Sequence, residues 1–361
     1  MLEISFSPIE SVAETQPFAV CSGFDLSQDL SPATISQIKG ALLKHGLLVF
    51  RNQTDLSPGR EVAFNRAFGW HDTEQEAFIF GSAPSTPLRK AGGGSFIPAH
   101  PAVSVLGNVM LDDYHGIHNT QLLSGLGLTY AGWHADGLHD MFDGMPEMTT
   151  MFNPVGWSSV SGGETYFTSG VGALERMDSQ LRKELEHCVA AYIRYPNDDS
   201  PGESRQVTPG YAYMTQEGTH RVGWAVDSRN PSAGLLDFEL KPEHADGGGR
   251  HRCIRVHPAT GQASLYVYPA NAVHLLDIET GAVRHNVEET AKLLSEALLP
   301  SALPEVRYEH VWHEGDFIAW VNTLVLHSAS DPTDTEGPRL LHRVRLSTPR
   351  TRWQDGRYAS Y

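Results

Sequence analysis

The feature that most constrains the fold of this chain is a series of short, strand-like apolar runs between residues 103 and 347. The runs are rich in β-branched and aromatic side chains, and glycine, proline or polar turn residues separate them. They read VSVLGNV, MTTMFNP, ETYFTS, CIRVHP, SLYVYP, FIAWVN and HRVRLS. Many short strands of this kind are typical of sandwiches, barrels and jelly rolls. We therefore expect a mainly β fold.

Helices are expected to flank this β core. Ser31 can cap a helix that has Pro32 in its first turn, and Gly46 can end it. Asn286 stands in the capping position of a later apolar segment. The sequence predicts helices at about 31–46, 57–69, 173–188 and 287–299, and a buried strand at 47–51.

The chain is expected to form one domain over residues 1–361. Its 361 residues, 40% of them hydrophobic, can bury a full core. The region at about 196–252 is polar and rich in glycine and proline, and its apolar residues are too scattered to build a core of their own. We interpret this region as a loop inserted between strands.

The charge balance argues against nucleic-acid and membrane partners. Lys and Arg together number 27 against 43 Asp and Glu, which gives a formal charge of -16. Such a surface repels phosphate backbones and anionic lipids. The N-terminal residues lack the pattern of a secretory signal, and the three cysteines are far apart in sequence. A soluble, cytoplasmic protein is therefore expected.

A candidate metal site begins in AGWHADGLHD, where His134 and Asp136 form a His-x-Asp pair. Two imidazoles and one carboxylate can hold iron(II) on one face and leave other positions for a cosubstrate and dioxygen. A second such pair, His244 and Asp246, lies in KPEHADGGGRHR, where three glycines and several charges predict a solvated loop. Metal ligands need supported side chains, so the first pair is favoured.

The remaining ligand is expected far along the chain, since the two halves of such a site meet only after folding. The segment EGDFIAWVNTLVLHSASD contains an apolar strand that leads into His327. Arg339 follows twelve residues later, with Arg343 just beyond it. The cosubstrate 2-oxoglutarate chelates iron through its keto acid end, and its remote carboxylate needs a cationic partner such as Arg339. Thr165, in SGGETYF, adds a hydroxyl that could reach the same carboxylate.

Five segments, in order, resemble the taurine dioxygenase group (TauD/TfdA-like) of Fe(II)/2-oxoglutarate-dependent oxygenases. They are the helix–strand–helix at 23–69, WHADG, SGGETYF, HPATGQASLYVYP, and GDFIAWVNTLVLHSASD followed by RLLHRVRL. Together they are spread over most of the chain. The resemblance implies a double-stranded β-helix (jelly roll, cupin-like) core. It also implies a dioxygenase that oxidises, most often by hydroxylation, a C–H bond of a small organic molecule and releases succinate and CO2.

The resemblance also assigns residues, position by position. It implies that His134, Asp136 and His327 bind iron, and that Arg339 with Thr165 binds the C5 carboxylate of 2-oxoglutarate. It places Arg343 near the cosubstrate or an anionic substrate. Dioxygen and a small-molecule substrate are the implied partners, and dimers or tetramers are common in the group.

The chain departs from the family pattern in three places. Tyr268 stands where the family has Asn before Pro, Tyr130 lies four residues before the first ligand, and the segment between Asp136 and His327 is long. These departures concern the substrate and leave the metal ligands in place. Other polar residues near the motifs fit structural or surface roles better than ligation, namely His139, Asp140, His257 and His342.

Alternative functions follow from the same residues. Desaturation or ring formation uses the same oxidant as hydroxylation. A cupin-type metalloenzyme without 2-oxoglutarate would have no need of Arg339, and a binding protein that kept the fold would have no need of an intact ligand set. The sequence does not specify the substrate. It could be a sulfonate, an aryloxy acid, an amino acid or a natural-product intermediate.

Overall fold

The computed structural model describes residues 4–10, 17–68, 78–79, 95–122, 133–136, 146–157, 161–192, 250–257, 259–268, 272–303, 306–329 and 335–347. Strands dominate these residues. They are β1 (Ser5–Pro8), β2 (Ala19–Ser22), β3 (Leu47–Phe50), β4 (Phe78–Ile79), β5 (Ser95–Ile97), β6 (His100–Gly107), β7 (Met110–Tyr114), β8 (Ile117–Gln121), β9 (Pro146–Phe152), β10 (Thr165–Ser169), β11 (Cys188–Tyr192), β12 (Arg250–Arg252), β13 (Ile254–Val256), β14 (Ala263–Leu265), β15 (Ala272–Asp277), β16 (Val283–His285), β17 (Arg307–His310), β18 (Phe317–Val321), β19 (Val325–Ala329) and β20 (Leu340–Ser347).

Five helices lie among the described residues: α1 (Pro32–His45), α2 (Pro58–Ala67), α3 (Gly170–Glu175), α4 (Ser179–Glu186) and α5 (Val287–Ala302). The expected caps are present, because the Ser31 side chain accepts the Thr34 N–H and Asn286 forms a capping box with Glu289. Within the described part of the chain, no helix is both long and apolar enough to cross a membrane.

The helix predicted over 173–188 is wrong in its continuity and in its end. Two short helices, α3 and α4, occupy this region. Residues 176–178 between them are not helical. The break occurs because the Asp178 carboxylate accepts the N–H groups of Gln180 and Leu181 and so starts a new helix. Cys188, expected as a helix residue, opens strand β11 instead.

The largest sheet contains nine strands in the order β1-β2-β3-β18-β9-β20-β6-β5, with β4 paired to β20. Its strands are antiparallel except for the parallel pair β2 and β3. One face, the outer face, packs against α2: Phe317 and Phe50 contact Phe64, and the Asn65 amide donates to the Thr150 hydroxyl. Because side chains alternate along a strand, the intervening residues point to the opposite, inner face.

The inner face of this sheet looks toward a three-stranded sheet with the order β17-β10-β19. Phe167 of β10 packs against Trp320 of β18, with ring centroids 5.2 Å apart. Phe167 is also paired in register with His327 of β19. The two sheets therefore sandwich an aromatic layer, and His327 lies at its border.

A second core lies behind the three-stranded sheet. A four-stranded sheet, β12-β11-β15-β16, packs with α5, and their apolar side chains form a cluster with α3 and α4. Trp133, Tyr166 and Leu326 belong to this cluster. It therefore supports the segment that carries His134 and the strand that carries His327 from the same side.

Candidate metal centre

The segment 133–136 is attached to the edge of β19. The N–H of His134 donates to the carbonyl of His327 at 3.0 Å, and the N–H of His327 donates back to His134 at 2.9 Å. Trp133 and Ala135, which flank His134, are both buried. The backbone pairing places two histidines that are remote in sequence side by side on neighbouring segments. The buried side chains of Trp133 and Ala135 hold the segment of His134 in place.

Asn322, which follows β18, clamps the backbone of Asp136. Its Oδ1 accepts the Asp136 N–H at 2.8 Å, and its Nδ2 donates to the Asp136 carbonyl at 3.0 Å. On the carboxylate itself, Oδ2 accepts the Thr149 hydroxyl at 3.0 Å. These three hydrogen bonds are buried, so they hold Asp136 in one orientation with Oδ1 directed at the histidines.

The three predicted metal ligands converge. Asp136 Oδ1 lies 4.0 Å from Nε2 of His134 and 3.8 Å from Nε2 of His327, and the two imidazole centroids are 4.2 Å apart. One donor atom from each residue lies within 4.8 Å of the others. Donors that bind one ion at about 2.1 Å are at most about 4.2 Å apart, so the carboxylate is close enough to share a small cation with each imidazole. Two nitrogens and one carboxylate oxygen are ligands that ferrous iron accepts.

The charge states of the ligands also suit a cation. Burial raises the pKa of Asp136, but the positive charges around it, from His327, Arg345, Arg343 and His134, outweigh burial and leave the pKa well below its usual range. For His327, burial and then the positive charge of His134 lower the pKa to about 3. At neutral pH the site therefore presents an ionised carboxylate and a neutral imidazole, the forms that bind a metal.

Arg339 lies immediately before β20, an interior strand of the large sheet. Its backbone N–H donates to Asn108 Oδ1 at 2.8 Å, and its carbonyl accepts the Asn108 N–H at 3.1 Å. A Cβ on Gly107 would lie 2.1 Å from the Arg339 carbonyl oxygen, so only glycine allows this close approach. Burial lowers the pKa of Arg339 to about 10, against the opposing effect of the Glu164 charge. Its Nε is buried and has no hydrogen-bond partner among the described residues.

Thr165 begins β10 and is buried. Its hydroxyl oxygen accepts the Trp312 Nε1–H at 3.0 Å. Since this contact uses the oxygen as an acceptor, the hydroxyl proton is directed elsewhere and can be donated to an anion. Glu164, whose charge acts on Arg339, is the neighbour of Thr165 in sequence. The two residues predicted to bind the remote carboxylate are thus on adjoining parts of the fold.

Comparison with known proteins identifies the chain. The profile described as Taurine catabolism dioxygenase TauD, TfdA family matches residues 9–345. The chain belongs to this family. The family prediction made from the five sequence segments is therefore confirmed, and the enzyme is an Fe(II)- and 2-oxoglutarate-dependent dioxygenase.

Its relatives are distant but collinear with it. Pentalenolactone F synthase from Streptomyces avermitilis is 25% identical over 331 residues, covering 90% of this chain and 89% of the relative. The (S)-phenoxypropionate/alpha-ketoglutarate-dioxygenase from Sphingobium herbicidovorans is 25% identical over 334 residues, covering 91% of each. The crystal structure of a taurine dioxygenase from Burkholderia xenovorans superposes with a TM-score of 0.60 at 21% identity, covering 95% of this chain and 89% of the other. The fold of the dioxygenase is thus that of a taurine dioxygenase.

Tyr268, a departure from the family pattern, lies beside the candidate metal ligands of the dioxygenase. Its ring centroid is 4.9 Å from that of His134, and its backbone N–H donates to the Tyr192 hydroxyl at 3.1 Å. Burial, and then the negative charge of Asp136, raise the pKa of Tyr268 to about 12. The phenol is therefore a neutral wall of the site at physiological pH.

The sequence did not single out three residues that act on this site: Asn322, Thr149 and Arg345. Asn322 and Thr149 hold Asp136, as described above. Arg345 contributes a positive charge that acts on Asp136 and His327. For Arg345 a signal was present in the sequence, because it stands two residues after Arg343 in the same strand and so points to the same face.

The structural interpretation of two other histidines is supported. His342 is 1% exposed and lies between the Glu61 carboxylate, at 2.6 Å, and the Tyr114 hydroxyl, at 2.7 Å. His257 accepts the Ala259 N–H in a turn. Tyr130, His139, Asp140 and the pair His244 and Asp246 lie outside the described residues.

A second group of possible ligands, Glu184, Cys188 and His285, lies between α4 and β16. The guanidinium of Arg284 donates to both carboxylate oxygens of Glu184, and His285 also contacts that carboxylate at 2.7 Å. Burial raises the pKa of the Cys188 thiol to about 12. An arginine thus occupies the carboxylate and the thiol stays protonated, so this group is an ion-pair network that ties helix to hairpin.

Proposed function

We propose that this dioxygenase hydroxylates a C–H bond of a small organic substrate at an iron(II) ion held by His134, Asp136 and His327. The convergence of these three donors, from segments remote in sequence, carries the proposal. We further infer that residues 1–361 form one catalytic domain and that the two facing sheets are the halves of a double-stranded β-helix, the jelly roll of cupin-like proteins. The order of the strands within the two sheets, which are not consecutive in the chain, supports this inference.

The chemistry of the ligand set supports iron in particular. Three protein ligands on one side of an ion leave the remaining positions for exogenous ligands, as non-haem oxygenases require. An aspartate at the second position also separates this enzyme from halogenases, whose halide takes the place of the carboxylate. The Thr149 and Asn322 contacts keep that carboxylate from turning away.

Arg339 and Thr165 are proposed to anchor 2-oxoglutarate by its remote carboxylate. The Arg339 guanidinium is buried, and its Nε has no hydrogen-bond partner among the described residues. The Thr165 hydroxyl accepts from Trp312 and can donate its proton to another group. Both groups are complementary to a carboxylate. Burial makes such a pairing stronger than it would be at the surface, because the local dielectric is low. In a metalloenzyme that used no 2-oxoglutarate, the buried positive charge of Arg339 would have no role in binding a cosubstrate.

When bound, iron(II) and 2-oxoglutarate supply the oxidising chemistry, in which dioxygen is consumed and succinate and CO2 are released. The protein residues orient the reactants and exclude water. Trp320 and Phe167 form a dry wall behind His327, with Trp320 5.0 Å from the imidazole centroid. Tyr268 packs against the ring of His134.

A second outcome of the same oxidant, desaturation or ring formation, is separated from hydroxylation by mass spectrometry. Hydroxylation adds one oxygen atom to the product, whereas desaturation and ring formation by loss of two hydrogens do not.

The iron assignment is tested by anaerobic titration of the apoprotein with iron(II), before any substrate is known. The variant H327A is expected to lose more than about a hundredfold in affinity, since even the loss of an outer partner of a ligand costs 10–100-fold. His118, an exposed histidine on β8, provides the matched control H118A, which should bind iron as the wild type does. Unchanged iron affinity in H327A would remove His327 from the metal site.

The cosubstrate assignment is tested by 2-oxoglutarate titration of the iron-loaded protein, followed through the visible charge-transfer band of the chelate. The variant R339Q should raise the Kd by about 10–100-fold, because a charge-assisted pair is lost. The variant R339K should recover only part of the affinity, because an ammonium cannot make the bidentate contact. Wild-type affinity in R339Q would favour the enzyme class that uses no 2-oxoglutarate.

A further inference from the structure

Trp312, which lies just after β17, contacts one of the two side chains proposed to bind the remote carboxylate of 2-oxoglutarate. Its indole N–H donates to the Thr165 hydroxyl oxygen at 3.0 Å, and both side chains are buried. An indole nitrogen can only donate, whereas a hydroxyl can donate or accept. The contact therefore assigns the direction of the hydrogen bond, and the Thr165 proton points away from Trp312 toward another acceptor.

Thr165 stands at a suitable distance from the candidate metal ligands. It lies two residues before Phe167 on β10, and Phe167 is paired in register with His327. All three side chains therefore share one face of the three-stranded sheet. Two residues correspond to about 6.6 Å along the strand, at a rise of about 3.3 Å per residue. A five-carbon keto acid that chelates an ion at His327 spans a distance of this order, so its remote carboxylate can reach the Thr165 proton.

The ring of His310 holds the indole of Trp312 in place. The centroids of the two rings are 4.5 Å apart, and the ring planes are at 81° to each other. His310 is 0% exposed, is paired in register with Thr165, and has its Nδ1 2.7 Å from the Tyr308 hydroxyl. The indole therefore cannot turn away from Thr165 without displacing a buried and hydrogen-bonded imidazole.

The turn that follows Trp312 is closed by the buried carboxylate of Asp316. Its Oδ2 accepts the backbone N–H of His313 at 3.0 Å and lies 3.3 Å from Nε2 of His310. The guanidinium of Arg51 donates to the same oxygen. One carboxylate thus holds residues on both sides of Trp312, and this contact sets the path of the backbone that carries the indole.

We propose that Trp312 is a positioning residue for the cosubstrate, because it orients the Thr165 hydroxyl to donate its proton to the remote carboxylate of 2-oxoglutarate. This inference rests on the proposed function, which assigns that carboxylate to Arg339 and Thr165. Trp312 acts through a hydroxyl and not through the metal. Its effect should therefore be confined to ligands that carry a remote carboxylate.

The test compares two keto acids, 2-oxoglutarate and 2-oxopentanoate, of which only the first has a remote carboxylate. Each is titrated anaerobically into the full chain loaded with iron(II), and binding is followed through the visible band of the chelate. W312F keeps an aromatic ring and removes the N–H, so it should raise the Kd of 2-oxoglutarate by about twofold to tenfold, as expected when one hydrogen bond is weakened. The Kd of 2-oxopentanoate should stay that of the wild type. An equal loss for both keto acids overturns the inference, because it would show a general disturbance of the site.

A double-mutant cycle connects the effect to Thr165. T165V removes the hydroxyl and should raise the Kd of 2-oxoglutarate by about tenfold or more, since a hydrogen bond to a charged group is lost. If Trp312 acts through that hydroxyl, W312F/T165V should bind 2-oxoglutarate no more weakly than T165V does. Losses that add would overturn the inference. Trp157, whose ring centroid is 6.0 Å from that of Tyr114, gives the matched control W157F, which should bind both keto acids as the wild type does.

The variant R339Q separates failure of this inference from failure of the proposed function. A wild type that forms no chelate with 2-oxoglutarate, or an R339Q protein that binds it with wild-type affinity, refutes the proposed function. Weakened binding in R339Q together with wild-type binding in W312F refutes the role of Trp312 alone. A W312F protein that fails to bind iron(II) is replaced by W312L, for which the same difference between the two keto acids is expected.

Discussion

Replacing Asn322 by alanine should weaken metal binding although Asn322 is not itself a ligand. The amide makes two buried hydrogen bonds to the backbone of Asp136, one to its N–H and one to its carbonyl. Alanine leaves both groups buried without their partner, and each such group costs about 1–3 kcal/mol. The free energy of unfolding should therefore fall by about 2–6 kcal/mol. The affinity for iron(II) should fall by about 10–100-fold, as is usual when the support of a ligand is lost.

The assay for N322A is anaerobic titration with manganese(II) or iron(II), together with urea unfolding of the metal-free protein. The matched control is N108A, because the Asn108 amide accepts the Arg339 N–H and donates to the Gly337 carbonyl, the same amide chemistry at another backbone segment. N108A should weaken 2-oxoglutarate binding and leave the metal affinity unchanged. The reasoning is refuted if N322A binds metal as the wild type does, or if N108A loses as much metal affinity as N322A.

Two further changes test the close approach of strands and the ion-pair network. G107A places a Cβ 2.1 Å from the Arg339 carbonyl, so it should shift that residue and raise the 2-oxoglutarate Kd roughly tenfold to a hundredfold, measured beside an unchanged metal affinity. E184Q tests pH dependence: hydrogen bonds from Arg284 lower the Glu184 pKa from 4.5 to about 2, so its stabilisation is complete above about 4.5 and is lost as the pH falls toward 2. Melting curves of wild type and E184Q should converge over that range, and a constant difference would contradict the assignment.

The β character of the fold was predictable because all seven apolar runs contain strand residues, and six of the seven strands bury side chains. The strands that the sequence missed are of a different kind. In β7 and β8, for example, MLDDY and IHNTQ are mostly polar, because this hairpin lies at the surface and buries few side chains. A pattern of apolar residues cannot indicate strands whose pairing depends mainly on the backbone.

The candidate metal ligands His134, Asp136 and His327 could be picked out from the sequence because their residue types and spacing are tied to the chemistry of iron. Their supports could not, since an amide such as Asn322 reveals its role only when Asp136 folds against it. The same holds for Thr149, which meets Asp136 through tertiary contact. Sequence motifs thus indicate the residues that contact a ligand. The residues that orient those ligand-binding side chains can be recognised only from the tertiary structure.

Strand β20 explains why structural and functional residues can alternate so closely in RLLHRVRLS. Even-numbered His342 and Val344 face the outer side, where His342 bonds to Glu61 of α2. Odd-numbered Arg343 and Arg345 face the inner side, where their charges act on the metal ligands. A shift of the register by one residue would exchange the two sets, placing guanidinium groups against α2 and an imidazole beside the metal. The Glu61–His342 contact therefore fixes more than local packing, because it holds both arginines on the inner face of the sheet.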